Sequence, residues 1–285
     1  MLPRSFWCDM KESPIVIGGV GGSGTRLFAK MLKDLGFYIG GDLNTAEDNL
    51  WFTLLFKRQE LWPPQAHKDE LVQLLKIFYS AMSEGSIPDT VDPESIRRLA
   101  SPSRLQHSAE WLSERVESLL SLKDVSVDSP WGFKEPNSHI FLPILMDSFE
   151  TMKYMHVMRH GVDMAFSGNQ NQLKFWGSRV LGRSIDPLSP ADSLAYWCAI
   201  HRRVSEIEAQ QSERFLMLDY DAFCEAPERL LEQIMTFLGV DDTSLMDGWI
   251  DTYVKPTSVN RRKGQDLSIF SGSDLAYVES LGFEI

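Results

Sequence analysis

The sequence predicts an α/β protein with a mainly parallel central sheet flanked by helices. Two observations lead to this fold class. Short apolar runs typical of buried strands alternate with longer segments of helical periodicity. The chain also has 285 residues, of which 43% are hydrophobic and 24% charged, and this is enough to bury a large core without disulfides or metals. We expect a single domain over residues 1–285, with a helical insertion or cap at about residues 46–128.

The first predicted strand covers residues 14–19 and runs into a series of glycines. The helix that follows has one apolar face, formed by Leu27, Phe28, Met31, Leu32 and Leu35. Gly36 suits the C-terminus of that helix. Residues 37–40 are a candidate for the start of another strand, and mostly helical patterns then extend to residue 122.

The second half of the chain returns to alternating strands and helices. Predicted strands cover residues 131–134, 153–158 and 215–219. Predicted helices lie around residues 140–149, 190–211 and 227–238, and Gly239 ends the last of them. Strands separated by helices in this way favour parallel pairing.

Charge and cysteine content exclude several classes of protein. The 28 basic and 40 acidic side chains give a net charge of −12, which disfavours non-specific binding to nucleic acid or to an anionic membrane. No apolar run reaches about 18 residues and the N-terminus has no signal-peptide core, so we expect no membrane span and a cytoplasmic location. Cys8, Cys198 and Cys224 are too few and too far apart for a disulfide framework, and no metal site is predicted.

A glycine-rich loop lies between the first predicted strand and helix. Its backbone amides, its hydroxyls and the helix dipole predict a phosphate or sulfate site. The candidate residues are Gly21, Gly22, Ser23, Gly24, Thr25 and Arg26. No GK[ST] follows, as a nucleotide triphosphatase requires, and no clear acidic residue supports a dinucleotide site. A glycine-rich turn without a ligand is the alternative.

A second motif, from Arg159 at a strand end through Asp163 to Ser167, makes the sequence similar to the sulfotransferases that use 3′-phosphoadenosine 5′-phosphosulfate (PAPS). RHGVDMAFS resembles the 3′-phosphate motif of that family, and VGGSGTR resembles its 5′-phosphosulfate loop. The stretch from LDYDAF to FLGV and the run Arg261-Arg262-Lys263-Gly264 resemble two further family segments. The four blocks stand in the family's order and cover about half of the chain.

The resemblance implies a P-loop sulfotransferase fold, PAPS as donor and adenosine 3′,5′-bisphosphate (PAP) as product, with no metal required. The acceptor would be a hydroxyl or amine on a small molecule, carbohydrate or lipid. The implied donor-binding residues, beyond the glycine loop, are Arg159, Ser167, Tyr220, Arg262, Lys263 and Gly264. Lys134 matches the lysine that stabilises the leaving oxygen. Gly22 departs from the family, which usually has a basic residue at this position.

The general base is left open by the sequence. Pro136 occupies the position of the histidine found in one branch of the family, and other branches use a carboxylate beyond the phosphate loop. By position we expect Asp48 first, Glu47 second and Asp42 third. Glu47 and Asp48 are also residue types that favour the first turn of a helix. The histidines His139 and His160 are lesser candidates.

Two other functions remain alternatives at this point. A small-molecule kinase using ATP and Mg²⁺ would share the loop and the α/β pattern, although it lacks GK[ST]. A non-catalytic nucleotide-binding module would account for Gly22 and for the uncertain base.

Overall fold

A computed structural model describes residues 14–101, 103–122, 129–241, 246–254 and 260–285. Its sheet has four strands, β1 (Ile15–Gly19), β2 (Gly132–Lys134), β3 (Lys153–Met158) and β4 (Phe215–Asp219), in the order β2-β1-β3-β4. β1 with β2 and β3 with β4 pair in parallel. Strands β1 and β2 are entirely buried and β3 nearly so, as parallel sheets covered by helices require, whereas Met217 and Asp219 of β4 are half-buried. The predicted α/β class with a parallel sheet is confirmed.

The first helix, α1 (Thr25–Asp34), follows β1 as predicted. The helices between β1 and β2 continue with α2 (Leu50–Phe56), α3 (Lys68–Ser83), α4 (Pro93–Arg97) and α5 (Ala109–Leu120). The helices after β2 are α6 (Leu142–Ser148), α7 (Gly161–Ala165), α8 (Asn171–Leu181), α9 (Pro190–Glu208), α10 (Tyr220–Glu225), α11 (Pro227–Leu238), α12 (Trp249–Tyr253) and α13 (Gly272–Ser280). Gly239 caps α11 with φ of 75°, as predicted.

The candidate strand at residues 37–40 is wrong. Tyr38 forms one parallel bridge with Trp131, and the pairing does not extend into a strand. Gly40, at φ of 120°, turns the chain away after this bridge. The space for a Cβ at Gly40 is occupied by the carboxamide of Asn49, which donates to the carbonyl of Ile39 at 3.1 Å.

The described chain forms two compact units. Unit 1 comprises residues 14–17 together with the described residues between Phe28 and Lys153. Its core is centred on Phe52, whose ring stacks on Phe133 at 5.1 Å and meets the edge of Phe78 at 5.5 Å. The aromatic residues buried in this part of the predicted helical region include Trp51, Phe52, Phe56 and Phe78. Burial of such side chains contributes about 1.5–3 kcal/mol each.

Unit 2 comprises Gly18–Leu27 and Tyr154–Ile285. Its longest helix, α9, packs against α7, α8 and α13. Ser189 and Asp192 form a capping box at the start of α9, with Pro190 in the first turn. Among the described residues, no helix combines the length and the apolar character needed to cross a membrane.

Candidate functional site

The glycine loop (residues 18–26) of unit 2 joins β1 to α1. Gly22 and Gly24 have φ of 98° and 97°, a region that residues with a Cβ rarely adopt. A Cβ on Gly24 would lie 2.7 Å from Cγ of Tyr220 and closer still to two other ring carbons. The tyrosine ring therefore lies directly on the loop backbone. At Gly22, the position where the family usually has a basic residue, any side chain would be strained.

The hydroxyl of Ser23 lies inside this loop, 2.7 Å from the position of a Cβ on Gly19. Ser23 is 1% exposed, and among the described residues its Oγ has no hydrogen-bond partner. Leaving a buried hydroxyl unsatisfied costs about 1–3 kcal/mol. An anion held by the loop amides and the N-terminus of α1 would give this hydroxyl an acceptor. Thr25 is also buried in the first turn of α1, whereas Arg26 is exposed.

Two carboxamides that the sequence did not single out border the loop. Gln172 of α8 donates from Nε2 to the carbonyl of Gly19 at 3.2 Å. Asn169 places Nδ2 3.7 Å from the Cβ positions of both Gly21 and Gly22. Neither residue could be predicted from the sequence, because no local pattern links residue 169 or 172 to residue 21.

Arg159 follows β3, as predicted, and its side chain is 6% exposed. Its Nε donates to Oδ1 of Asp221 at 3.3 Å, and the guanidinium lies 5.2 Å from the ring centroid of Tyr220. The other carboxylate oxygen of Asp221 accepts from the amide of His160 at 3.2 Å. Asp221 therefore orients the arginine. Burial, and then Cys224, raise the pKa of Tyr220 to about 12, so the phenol stays protonated at neutral pH.

Ser167 lies in the turn after α7 and not within a helix. The helix ends at Ala165, and the amide of Ser167 donates to the carbonyl of Met164 at 3.0 Å. Its Oγ accepts from the amide of Asn169 at 3.2 Å. A hydroxyl that accepts one bond still has its proton to donate. Ser167 can therefore donate to an anion.

The basic segment (residues 260–264) includes the predicted Arg262, Lys263 and Gly264. Arg262 is paired with the buried carboxylate of Asp163 at 3.4 Å, whereas Lys263 and Gly264 are exposed. The preceding residues 255–259 lie outside the described part of the chain. Asp163 belongs to the motif that starts at Arg159, yet the sequence assigned it no role.

Lys134 ends β2 in unit 1, in register with Ile17, the residue that precedes Gly18 of the glycine loop. The side chain is 3% exposed. Its Nζ is bonded to Asp48 and to the carbonyl of Ala46 at 2.9 Å. A buried ammonium needs such partners, because an unpaired charge in the interior costs several kcal/mol.

The three candidate carboxylates have three different partners. Asp48 contacts Lys134, and its other oxygen accepts from Nδ2 of Asn44 at 2.8 Å. Glu47 has a left-handed backbone at φ of 63° and pairs with Lys33 at 3.1 Å. Asp42 pairs with Arg115 at 2.9 Å. Of the three, the structure brings Asp48 together with the candidate catalytic lysine.

A fourth carboxylate, missed in the sequence, is Glu135. It is buried and accepts from the amide and the side chain of Asn137 at 2.5 and 2.8 Å. Burial, helped by the charge of Asp48 and opposed by that of Lys57, raises the pKa of Glu135 to about 7. The position directly after Lys134 is the only local signal for it.

The two candidate histidines lie in local elements of the fold, one at the cap of a helix and the other in a short 3₁₀ turn. His160 caps α7, with Nδ1 accepting from the amide of Val162 at 3.2 Å and Nε2 donating to the carbonyl of Glu284 at 2.6 Å. His139 is buried in the short 3₁₀ turn Pro136–Ile140. Within the described residues, no group of three His, Cys, Asp or Glu side chains could hold a metal ion.

Comparison with known proteins bears on both fold and family. A family model described as the sulfotransferase family matches residues 14–244. The sulfotransferase domain of the Synechococcus PCC 7002 olefin synthase has a similar fold, at 16% identity over 96% of each chain and a TM-score of 0.54. A sulfotransferase of Mycobacterium avium matches at 13% identity over 96% of this chain and 77% of that chain, with a TM-score of 0.49.

No curated protein sequence matches the chain. The similarity to the Synechococcus domain confirms the sulfotransferase fold that the sequence resemblance implied. The family model covers well over half of the 285 residues, including the glycine loop, Lys134 and the motif from Arg159 to Ser167. On this evidence the chain belongs to the sulfotransferase family.

Proposed function

We propose that the protein transfers a sulfuryl group from PAPS to a hydroxyl or amine of a small-molecule, carbohydrate or lipid acceptor. The observation that carries this proposal is the glycine loop at the N-terminus of α1, with the buried hydroxyl of Ser23 inside it, in a chain of the sulfotransferase family. Such a loop suits the 5′-phosphosulfate end of the donor.

The charges of unit 2 suit the other end of the donor. Arg159 is held by Asp221 beside Tyr220, and Ser167 can donate from the turn after α7. Lys263 is exposed in the basic segment. These cationic and hydroxyl donors stand out in a chain of net charge −12. Guanidinium and phosphate form short, charge-assisted hydrogen bonds, so Arg159 is our first candidate for the 3′-phosphate.

The proposed reaction is an in-line displacement at sulfur. The acceptor oxygen or nitrogen forms a bond to sulfur, the bond between sulfur and the bridging oxygen breaks, and PAP leaves with the electron pair. Lys134 would stabilise the charge that develops on that oxygen. Asp48 would take the acceptor proton, because it is the candidate carboxylate in contact with Lys134. Preorganised charge of this kind contributes on the order of 10²–10³ in rate per donor.

A kinase that uses ATP and Mg²⁺ is less well supported. The glycine loop has no lysine followed by Ser or Thr. The match to the sulfotransferase family model also favours sulfuryl transfer over phosphoryl transfer.

Isothermal titration tests the donor site. Adenosine 3′,5′-bisphosphate should bind in the micromolar range without metal, and more tightly than ADP or than ATP with Mg²⁺. Arg159→Ala should weaken this binding by about 10-fold or more, through loss of a charge-assisted contact. Arg229→Ala, which removes an exposed arginine of α11 in the same unit, serves as the matched control. A preference for ATP with Mg²⁺ would instead support a kinase.

Turnover separates an enzyme from a nucleotide-binding module. PAPS and a panel of hydroxyl and amine acceptors are incubated with the protein, and PAP formation is followed. Lys134→Ala should abolish transfer while PAP still binds. Tight PAP binding without transfer to any acceptor would favour the non-catalytic module, and unchanged turnover in Lys134→Ala would remove this lysine from the mechanism.

A further inference from the structure

Asp163 holds the basic segment through four polar contacts. Its side chain is 2% exposed. Oδ2 accepts from the amide of Asn260 at 2.7 Å, and Oδ1 accepts from the amide of Arg262 at 2.9 Å. Nη1 of Arg262 lies 3.4 Å from both carboxylate oxygens. A buried carboxylate with this many donors is fully committed to the segment.

The backbone of the segment is shaped around this carboxylate. Asn260 has φ of 64° and Gly264 has φ of 78°. Two successive turns, from Lys263 to the carbonyl of Asn260 at 3.2 Å and from Gln265 to that of Arg262 at 3.1 Å, close the segment on itself. A left-handed residue lets the amides of alternate residues converge on one anion, which is how backbone nests bind phosphate. Here the bound anion is the side chain of Asp163.

Within the part of the chain that the structure describes, burial of apolar side chains adds little to hold this segment in place. Asn260, Lys263 and Gly264 are exposed, so it contributes little apolar burial of its own. Ordering the backbone costs conformational entropy, and the buried contacts to Asp163 offset part of that cost. Removing one partner of a buried charge-assisted pair typically costs several times more than removing an exposed one.

Asp163 also belongs to the element that lies between two predicted 3′-phosphate ligands. It sits in α7 (Gly161–Ala165), with Arg159 two residues before this helix and Ser167 two residues after it. A contact from this helix to residues 260–262 therefore ties a third group of donors to the same short stretch of chain.

We propose that Asp163 is a positioning residue for donor binding. It fixes the basic segment so that the donors of Arg262, Lys263 and Gly264 face the 3′-phosphate, and it does not itself touch the nucleotide. The inference rests on the proposed function, because it presupposes a nucleotide with a 3′-phosphate.

The experiment compares two nucleotides that differ in one group. Titration calorimetry measures the Kd of adenosine 3′,5′-bisphosphate and that of adenosine 5′-monophosphate. The ratio of the Kd of the monophosphate to the Kd of the bisphosphate reports the contribution of the 3′-phosphate. Asp163→Asn keeps the shape of the side chain but removes its charge. We expect the ratio in this variant to be about 10-fold or more below the wild-type ratio, with the Kd of the monophosphate nearly unchanged. A general loss of stability would weaken both nucleotides alike.

Asp266→Asn is the matched control. Asp266 is exposed, lies just after the segment and caps the 3₁₀ turn Leu267–Ile269 by accepting from the amide of Ser268 at 2.9 Å. Asparagine can make the same cap. The ratio should stay at the wild-type value.

A second variant moves the segment and leaves the buried carboxylate intact. Asn260→Pro removes the amide that donates to Asp163 and imposes φ near −65° where the chain has 64°. It should lower the ratio as Asp163→Asn does, and it decides the question if Asp163→Asn does not fold. A wild-type ratio in either folded variant would overturn the proposal while leaving the donor site intact. Equal affinity of the wild-type protein for the two nucleotides would instead refute the donor site, and the positioning role with it.

Discussion

Gly24→Ala is the sharpest test of how the glycine loop is built. The added Cβ would meet two penalties at once. The first is backbone strain at φ of 97°, which costs about 1–2 kcal/mol for a residue with a Cβ. The second is overlap with the ring of Tyr220, whose Cγ would be 2.7 Å away, well inside the closest contacts of real Cβ atoms.

Moving the ring of Tyr220 away from the added Cβ would also cost free energy, because the ring would lose its contact with Arg159. The guanidinium of Arg159 lies 5.2 Å from the centroid of the Tyr220 ring, and a cation–π contact of this kind contributes about 0.5–1 kcal/mol. Together the strain and the displaced ring predict a loss of about 1.5–3 kcal/mol in the free energy of unfolding. Against a typical total of about 5–15 kcal/mol, such a loss is readily measured.

Urea unfolding followed by tryptophan fluorescence measures the effect. Gly21→Ala is the control in the same loop, since the nearest atom to its added Cβ, Nδ2 of Asn169, is 3.7 Å away, an ordinary van der Waals contact. A double-mutant cycle with Tyr220→Ala separates the overlap from the strain, because the strain remains when the ring is gone. If Gly24→Ala and Gly21→Ala differ by less than about 0.5 kcal/mol, the loop is not built as described.

The remaining predictions concern the carboxylates and the acid limit of stability. Asp48→Asn should lower the rate of sulfuryl transfer by about 10²-fold or more, whereas Glu47→Gln, whose partner is Lys33, should change it less than about 2-fold in the same PAP-release assay. Equal effects of the two variants would argue against Asp48 as the base. Burial lowers the pKa of His201 to about 4, below an unfolded value near 6.5. Its contribution, roughly 3 kcal/mol, is therefore present above pH 6.5 and lost as the pH falls to 4. His201→Phe should flatten the dependence of unfolding free energy on pH in that window, and an unchanged slope would contradict this origin.

The glycine loop and its flanking elements could be predicted from sequence because each depends on neighbours within a few residues. The apolar run before Gly18, the helical face that starts at Leu27 and the C-terminal cap at Gly239 are local patterns of period and backbone freedom. The family motifs could also be found from the sequence, since each motif is a short local pattern and their order is seen directly along the chain.

The tertiary structure decided which distant residues meet. Asp42, Glu47 and Asp48 look alike in sequence, but the loop that carries them brings Asp48 alone of the three to Lys134, 86 residues away. Asp163 acquires its partners 97 and 99 residues further along the chain. Even the residues 37–40, with strand-like composition, form a single bridge because Gly40 turns the chain away. The sequence by itself determined the loop, the elements and the residue types of the site, whereas their pairing depended on packing, because hydrogen bonds and ion pairs between distant residues have no local periodicity from which they could be deduced.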